Sequence, residues 1–353
     1  MPTKRRLDRI EALRGLAALY IFVHHYATSV NWNQYHLGSY ATVAVMTFFL
    51  ISGFVIYRSS GVGGGSFSVS SYARKRVLRI MPAYLVALAL SYGVDVIIHG
   101  NPFNVSGFLG NMAFLVESRS VRGVFAFHHN APLWSLSYEM WFYVFFAVMV
   151  LAAGKRFEVL RRCAVGLSVV GLLSQWIITN PVSLYAGAFV IWWAGAELAH
   201  EYNKTGGISW RGQLRSLASM VFIAALVTAR IVAGKVGFLG ATHYPTTQLS
   251  HLVIGVLLIV AALLWQGLRM RGFDVVIGPF RRVAPVSYGI YIFHFPIVLL
   301  AANEHVTGSA ILDLLWVVPT VFGLAWLFDL QLHRLLVKRL DRPSSAARRT
   351  SRA

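Results

Sequence analysis

Cysteine is almost missing: the 353 residues hold one, Cys163. That excludes an intramolecular disulfide framework and any cysteine-based zinc cage. Acid is scarce as well, with 13 Asp+Glu, and charged residues make up 13% of the chain, against about 25% in an ordinary soluble domain. Such a surface cannot face water throughout, and 57% apolar residues with a mean hydropathy of +0.61 place the chain in a lipid bilayer. No small-residue cleavage site follows the first apolar stretch, which contains Arg14, His24 and His25, so the start reads as a retained helix rather than a signal peptide. No Gly-Lys-Ser/Thr follows the glycine-rich stretch Gly61–Ser66, which reads as a linker and not a phosphate loop.

What is abundant is base. The 32 Lys+Arg give a formal net charge of +19, which in a soluble protein points to nucleic acid. Here the bases bracket apolar runs, the pattern that sets membrane topology, and no nucleic-acid partner is expected. A spanning helix needs about 20 mostly apolar residues. Ten stretches qualify, near 10–30, 40–57, 80–98, 132–153, 163–180, 182–200, 216–233, 248–266, 283–302 and 310–332. The fold class expected is therefore an all-α polytopic helix bundle. With the N-terminus in the cytoplasm, all bases except Arg119, Arg122, Arg230 and Lys235 fall on the inner side or at adjoining helix ends, which places both termini there. The domain reading is one transmembrane domain over 1–340 and a basic, disordered cytoplasmic tail over 341–353 that can touch anionic lipid. Within 99–131, the apolar run 107–116 is too short to span and is expected along the outer interface or as a re-entrant segment. No internal repeat or fused soluble domain is expected.

Ionisable groups at membrane depth cost several kcal/mol unless paired or hydrated, so each is a functional candidate. Arg14 and His25 lie on one face of the first helix, about three turns or roughly 16 Å apart. A lone arginine there also serves as a snorkelling anchor, and a lone histidine as a packing residue. His24 points about 100° away and reads as structural. Glu139, which follows Tyr138 in Trp134-Ser135-Leu136-Ser137-Tyr138-Glu139, enters the fourth span from outside and reaches a depth similar to that of His25. A carboxylate meeting that imidazole fixes its tautomer and raises its basicity; a purely structural pair is the bland reading. Arg76 and Arg79, spaced i, i+3, face one way at the cytoplasmic start of the third span and suit a phosphate, although positive-inside anchoring explains either alone. Ser52-Gly53 interrupts the second span, where glycine allows close approach by a helix or an acyl chain. His294, before Pro296, sits in a kinkable part of the ninth span.

Taken together, these residues resemble the acyltransferase-3 family of integral membrane acyltransferases. The resemblance rests on Leu13-Arg14-Gly15-Leu16-Ala17-Ala18 with His25 beyond, Phe48-Phe49-Leu50-Ile51-Ser52-Gly53-Phe54, and the Arg76/Arg79 pair. It continues through Trp134-Ser135-Leu136-Ser137-Tyr138-Glu139 and Ser287-Tyr288-Gly289-Ile290-Tyr291-Ile292-Phe293-His294-Phe295-Pro296, in the family's order. Met46 and Thr47 depart from it, since members often carry Val-Asp-Leu before the Phe-Phe pair.

The resemblance implies transfer of a short acyl group, commonly acetyl, from cytoplasmic acyl-CoA to a hydroxyl of a saccharide or saccharide-bearing acceptor, at the bacterial inner membrane. Acyl-CoA is then a co-substrate, and no resident cofactor or metal is expected. In this reading Arg76 and Arg79 hold the donor's phosphates, with Ser52 and Gly53 lining its site, and Arg14 steers the thioester arm. His25 is the base or an acyl relay, assisted by Glu139, with His24, His294 and Tyr138 as further candidates. A transporter or flippase of an envelope glycan intermediate is the competing function, because spanning helices and buried ionisable groups serve both.

Overall fold

The structure is a computed structural model, and it describes residues 2–32, 40–62, 65–98, 100–116, 130–177, 180–235, 244–304 and 307–340. The tail 341–353 and most of the 117–131 stretch therefore lie outside the described residues. Among the described residues the chain is all helical, with no strand. The long helices are α1 (Pro2–Ser29), α2 (Ala41–Ser59), α3 (Val69–Gly93) and, after the short α4 (Val105–Met112), α5 (Leu133–Ala153). They continue with α6 (Phe157–Ser174), α7 (Pro181–Thr205), α8 (Trp210–Lys235) and α9 (Tyr244–Gly267). The short α10 (Phe273–Val276) and two 3-10 turns (Gly278–Arg282 and Ala284–Val286) lead into α11 (Ser287–Glu304), α12 (Ala310–Trp326) and α13 (His333–Leu340).

Eight helical stretches are long and apolar enough to cross a membrane. They fall on eight of the ten expected spans. The first expected span lies on α1, whose length suffices but whose Arg14, His24 and His25 dilute its hydropathy; the fifth lies on α6, which starts with Glu158, Arg161 and Arg162. The run 107–116 forms α4 and the turn after it, a helix of 8 residues, too short to span.

Helix α7 is the hub. Asn180 and Ser183 close a reciprocal capping box around Pro181 at its start, and Gly206 ends it in the left-handed region at φ 72°. Between these stops α7 is buried nearly throughout, and its pairing with α2 is the most extensive among the described residues. Two glycines make that pairing possible. A Cβ on Gly53 would stand 1.9 Å from the Trp192 carbonyl oxygen, and one on Gly195 would stand 2.0 Å from that of Leu50. Each backbone thus presses into the other's glycine, the close approach that small residues permit between membrane helices. Gly53, expected near a donor site, makes this helix contact and does not line the cavity between the helices.

Elsewhere, buried or bidentate polar pairs join the elements. Arg161 meets the buried Glu197 at 3.0 Å between α6 and α7, with the Trp193 indole N–H on the same oxygen at 2.9 Å. Arg9 grips both oxygens of Asp274, at 2.8 and 2.7 Å, and lies over the Phe273 ring, which ties α1 to α10.

Candidate active site

Helices α1, α2, α3, α5 and α11 enclose a cavity of about 150 Å³. Its lining includes Arg14, Ser52, Arg76, Arg79 and Glu139, so five of the residues singled out in the sequence converge on one space. They come from four separate helices, which is what sequence spacing alone cannot arrange.

One end of the cavity is cationic, and its three arginines differ in their partners. Arg14 donates to the Ala284 carbonyl at 3.0 Å and pairs with Glu11 at 2.6 Å. Arg79 is neutralised from below by Asp329, whose side chain is fully buried, at 3.2 Å. Asp329 is delivered by a π-helical segment, Leu327–Leu332, which widens the end of α12. The same residue offers Arg79 its backbone carbonyl at 3.3 Å and accepts the Gly289 N–H at 2.8 Å. Arg76 has no carboxylate at ion-pair distance among the described residues; its guanidinium lies 6.0 Å from the centre of the Tyr143 ring, and its Nε is buried without a partner. It is the cation at this end with charge to spare.

The middle of the cavity holds Glu139, fixed by a directional chain. The Trp192 indole N–H can only donate, and it does so to Ser52 Oγ at 3.1 Å. Tyr143 donates its hydroxyl to a Glu139 carboxylate oxygen. Ser52 therefore donates its own hydroxyl to the Tyr143 oxygen, 3.1 Å away. Every proton in this chain points towards Glu139, whose carboxylate oxygen is the terminal acceptor. Ser52 thus acts through Tyr143 while also lining the cavity.

The far end is aromatic. Phe48, Leu136, Ser135 and Tyr291 line it. The Tyr291 hydroxyl donates to the Pro132 carbonyl at 2.6 Å and accepts from Ser135 Oγ at 2.6 Å, so the outer end of that ring is fixed by two hydrogen bonds.

The three histidines stand outside the cavity lining. His25 meets His294, not Glu139: its Nδ1 lies 2.7 Å from His294 Nε2, with the two rings nearly parallel at 6°. The tautomers follow from the next contact. His294 Nδ1 lies 3.0 Å from the Ile290 carbonyl oxygen, which can only accept, so that nitrogen carries the proton and Nε2 is an acceptor. His25 must then carry its proton on Nδ1, and its Nε2 keeps a free lone pair. The partner expected for His25 is Glu139; the structure brings His25 to His294 and Glu139 to Tyr143. Pro296 explains the local geometry of α11. It has no N–H for the Ile292 carbonyl, and Asn130 supplies one at 3.0 Å.

His24 packs its ring 4.9 Å from that of His25 and approaches Thr28 at 3.5 Å. Tyr138 is buried among Phe49, Trp134, Phe142 and Tyr185, in the aromatic core behind the cavity. Sequence reasoning gave no role to Tyr143, Asp329 or Tyr291. Tyr143 lies one turn beyond Glu139 on the same face, and Asp329 is an acid inside an apolar run; both signals were present.

Among known proteins, the chain is 27% identical over 311 residues to an O-acetyl transferase of Shigella phage Sf6, covering 83% of this chain and 85% of that protein. It is 31% identical over 156 residues to acyltransferase MdmB of Streptomyces mycarofaciens, covering 41% of this chain and 39% of that protein. A third relative is the O-acetyltransferase OatA of Staphylococcus aureus, 21% identical over 348 residues, which span 88% of this chain and 53% of that one. The chain therefore spans about half or less of the length of MdmB and OatA. No solved structure matches it. Residues 7–330 match the acyltransferase-3 family, described as an acyltransferase domain; the chain belongs to that family.

Proposed function

We propose that this protein is a membrane O-acyltransferase that moves a short acyl group, acetyl in the first instance, from acyl-CoA to a hydroxyl of a saccharide or saccharide-bearing acceptor. The observation that carries the reading is the gradient within one cavity: three arginines, then an anchored carboxylate, then an aromatic wall one helical turn from the His25–His294 pair. That order matches a CoA thioester laid along it. The phosphates meet Arg76, supported by Arg14 and Arg79, in charge-assisted contacts. Glu139 offers its free oxygen to the amide N–H groups of the pantetheine arm, a binding role in place of the base-orienting one suggested by depth alone. The acyl end meets the aromatic wall.

His25 performs the chemistry through Nε2. By one route it takes the proton of the acceptor hydroxyl as that oxygen attacks the thioester carbonyl; the C–S bond breaks and the proton passes to the departing thiolate. By the other, Nε2 itself attacks the thioester carbonyl, the C–S bond breaks and the thiolate leaves; the hydroxyl then attacks the acyl-imidazole, the acyl–N bond breaks to return Nε2, and the hydroxyl proton passes to the thiolate. His294 serves both by fixing the tautomer that exposes Nε2. The charge distribution supports a cytoplasmic origin for the donor, both termini inside, and residence in a bacterial inner membrane. The names of the phage and staphylococcal relatives support an O-acetyl product.

The test is purified protein in lipid nanodiscs with labelled acetyl-CoA. The expected result is saturable donor binding in the wild type and in His25→Ala, with acyl transfer lost only in the variant. Comparison of surface glycans by mass spectrometry, with and without the gene, identifies the acceptor. Folded protein that neither binds nor consumes acetyl-CoA overturns the proposal.

A further inference from the structure

The aromatic end of the cavity has a geometry that bears on which acyl groups pass. Tyr291 and Phe48 meet there with ring centroids 5.8 Å apart and planes 67° apart. Behind Tyr291, towards the histidine pair, its ring centroid is 6.1 Å from that of His294. His294 follows Tyr291 by three residues on α11, about 4.5 Å further along the axis. The layer between the cavity and the catalytic pair is thus a single side chain thick. It is also stiff: Tyr291 is buried, and its hydroxyl is held by both Ser135 and the Pro132 carbonyl. A buried ring whose hydroxyl is fixed by two hydrogen bonds resists displacement, because interiors yield little without losing contacts.

We infer that Tyr291, backed by Phe48, is the specificity-determining wall that restricts the donor's acyl group to a few carbons. The inference rests on the donor reading given above. A thioester reaching His25 must bring its acyl group past or against this wall. An acetyl group adds one methyl beyond the carbonyl, whereas a hexanoyl chain adds four further methylenes, and the space beyond the ring is already filled by His294, Phe22 and Phe295. Each methylene that finds no room gives up its transfer free energy and adds strain. Discrimination then arises from sterics at one place, independent of the phosphate contacts at the cationic end.

The experiment measures dissociation constants of acetyl-CoA, butyryl-CoA, hexanoyl-CoA and free CoA on the purified protein in nanodiscs. The wild type should bind acetyl-CoA at least tenfold tighter than hexanoyl-CoA. Tyr291→Ala and, separately, Phe48→Ala should cut that ratio at least tenfold while free CoA binds as before; Tyr291→Phe, which keeps the ring, should retain most of it. Using a ratio, and two variants on different helices, separates selectivity from loss of folded protein. Equal wild-type affinity for acetyl-CoA and hexanoyl-CoA, or an unchanged ratio in both alanine variants, overturns the wall while leaving the donor reading intact. Binding of none of the four ligands by folded wild type overturns the donor reading, and the wall with it.

Discussion

Arg76 and Arg79 look equivalent in the sequence, but their surroundings differ enough that Arg76→Ala and Arg79→Ala should fail in different ways. Asp329 has no exposed side-chain surface, and Arg79 is the cation that compensates it. Truncating Arg79 leaves that carboxylate with the Gly289 N–H as its remaining hydrogen bond. Removing one partner of a buried pair costs about 3–5 kcal/mol. Arg76 carries no such obligation. In the proposed donor reading its loss removes a charge-assisted contact to a phosphate, worth about 1.5–3 kcal/mol, which is roughly a tenfold to hundredfold loss of affinity.

The assay is a pair of measurements on each purified variant: thermal unfolding in detergent, and the dissociation constant for acetyl-CoA. Arg76→Ala should melt like the wild type and bind the donor weakly. Arg79→Ala should melt several degrees lower, and adding Asp329→Asn should recover most of that loss, because the amide leaves no buried charge behind. If Arg79→Ala is as stable as Arg76→Ala, the Asp329 pairing is not the constraint described. If Arg76→Ala binds acetyl-CoA normally, the free cation is only an anchor.

Three further outcomes are expected. His294→Ala should slow acyl transfer by about tenfold or more with affinity for free CoA little changed, since the variant frees the His25 ring and removes no residue that lines the cavity; equal loss of that affinity would place the pair in binding instead. Gly53→Val should sharply reduce folded protein on size-exclusion chromatography, because the added carbon meets the Trp192 carbonyl, and overpacking of this kind costs about 1–3 kcal/mol or more. In a Cys163→Ser background, Ser66→Cys and Ser345→Cys should resist a membrane-impermeant thiol reagent in intact cells and react after permeabilisation; labelling of either in intact cells would reverse the topology.

The helices were legible because membrane spans leave long apolar runs, and lipid offers the backbone no other way to satisfy its hydrogen bonds. The cavity was partly legible for a related reason. A charge at depth is costly, so Arg14, Arg76 and Glu139 stood out from their apolar surroundings. What depth does not encode is azimuth. His25 and Glu139 were matched by their distance from the membrane faces, yet the rotation of α1 turns His25 towards α11, where His294 is waiting. Asp329 was hidden differently. It sits in an otherwise apolar stretch, and its orientation depends on a π-helical turn that no spacing rule of a regular helix anticipates. Ser52 and Gly53 were read as one feature, but neighbours in a helix point about 100° apart; one supports Tyr143 and the other receives α7.

The chain of contacts from His25 through His294 ends on the peptide oxygen of Ile290. An amide carbonyl is not a base of useful strength, so this arm is a terminus for protons and not a conduit. In the proposed transfer, a proton collected at Nε2 has to depart from the same nitrogen, and the outgoing thiolate is the partner that reaction provides. Ester formation from a thioester and an alcohol consumes and releases no net proton. If the proposed transfer is built this way, turnover should proceed at the same rate when the transmembrane proton gradient is collapsed, with the acyl donor as its sole energy source.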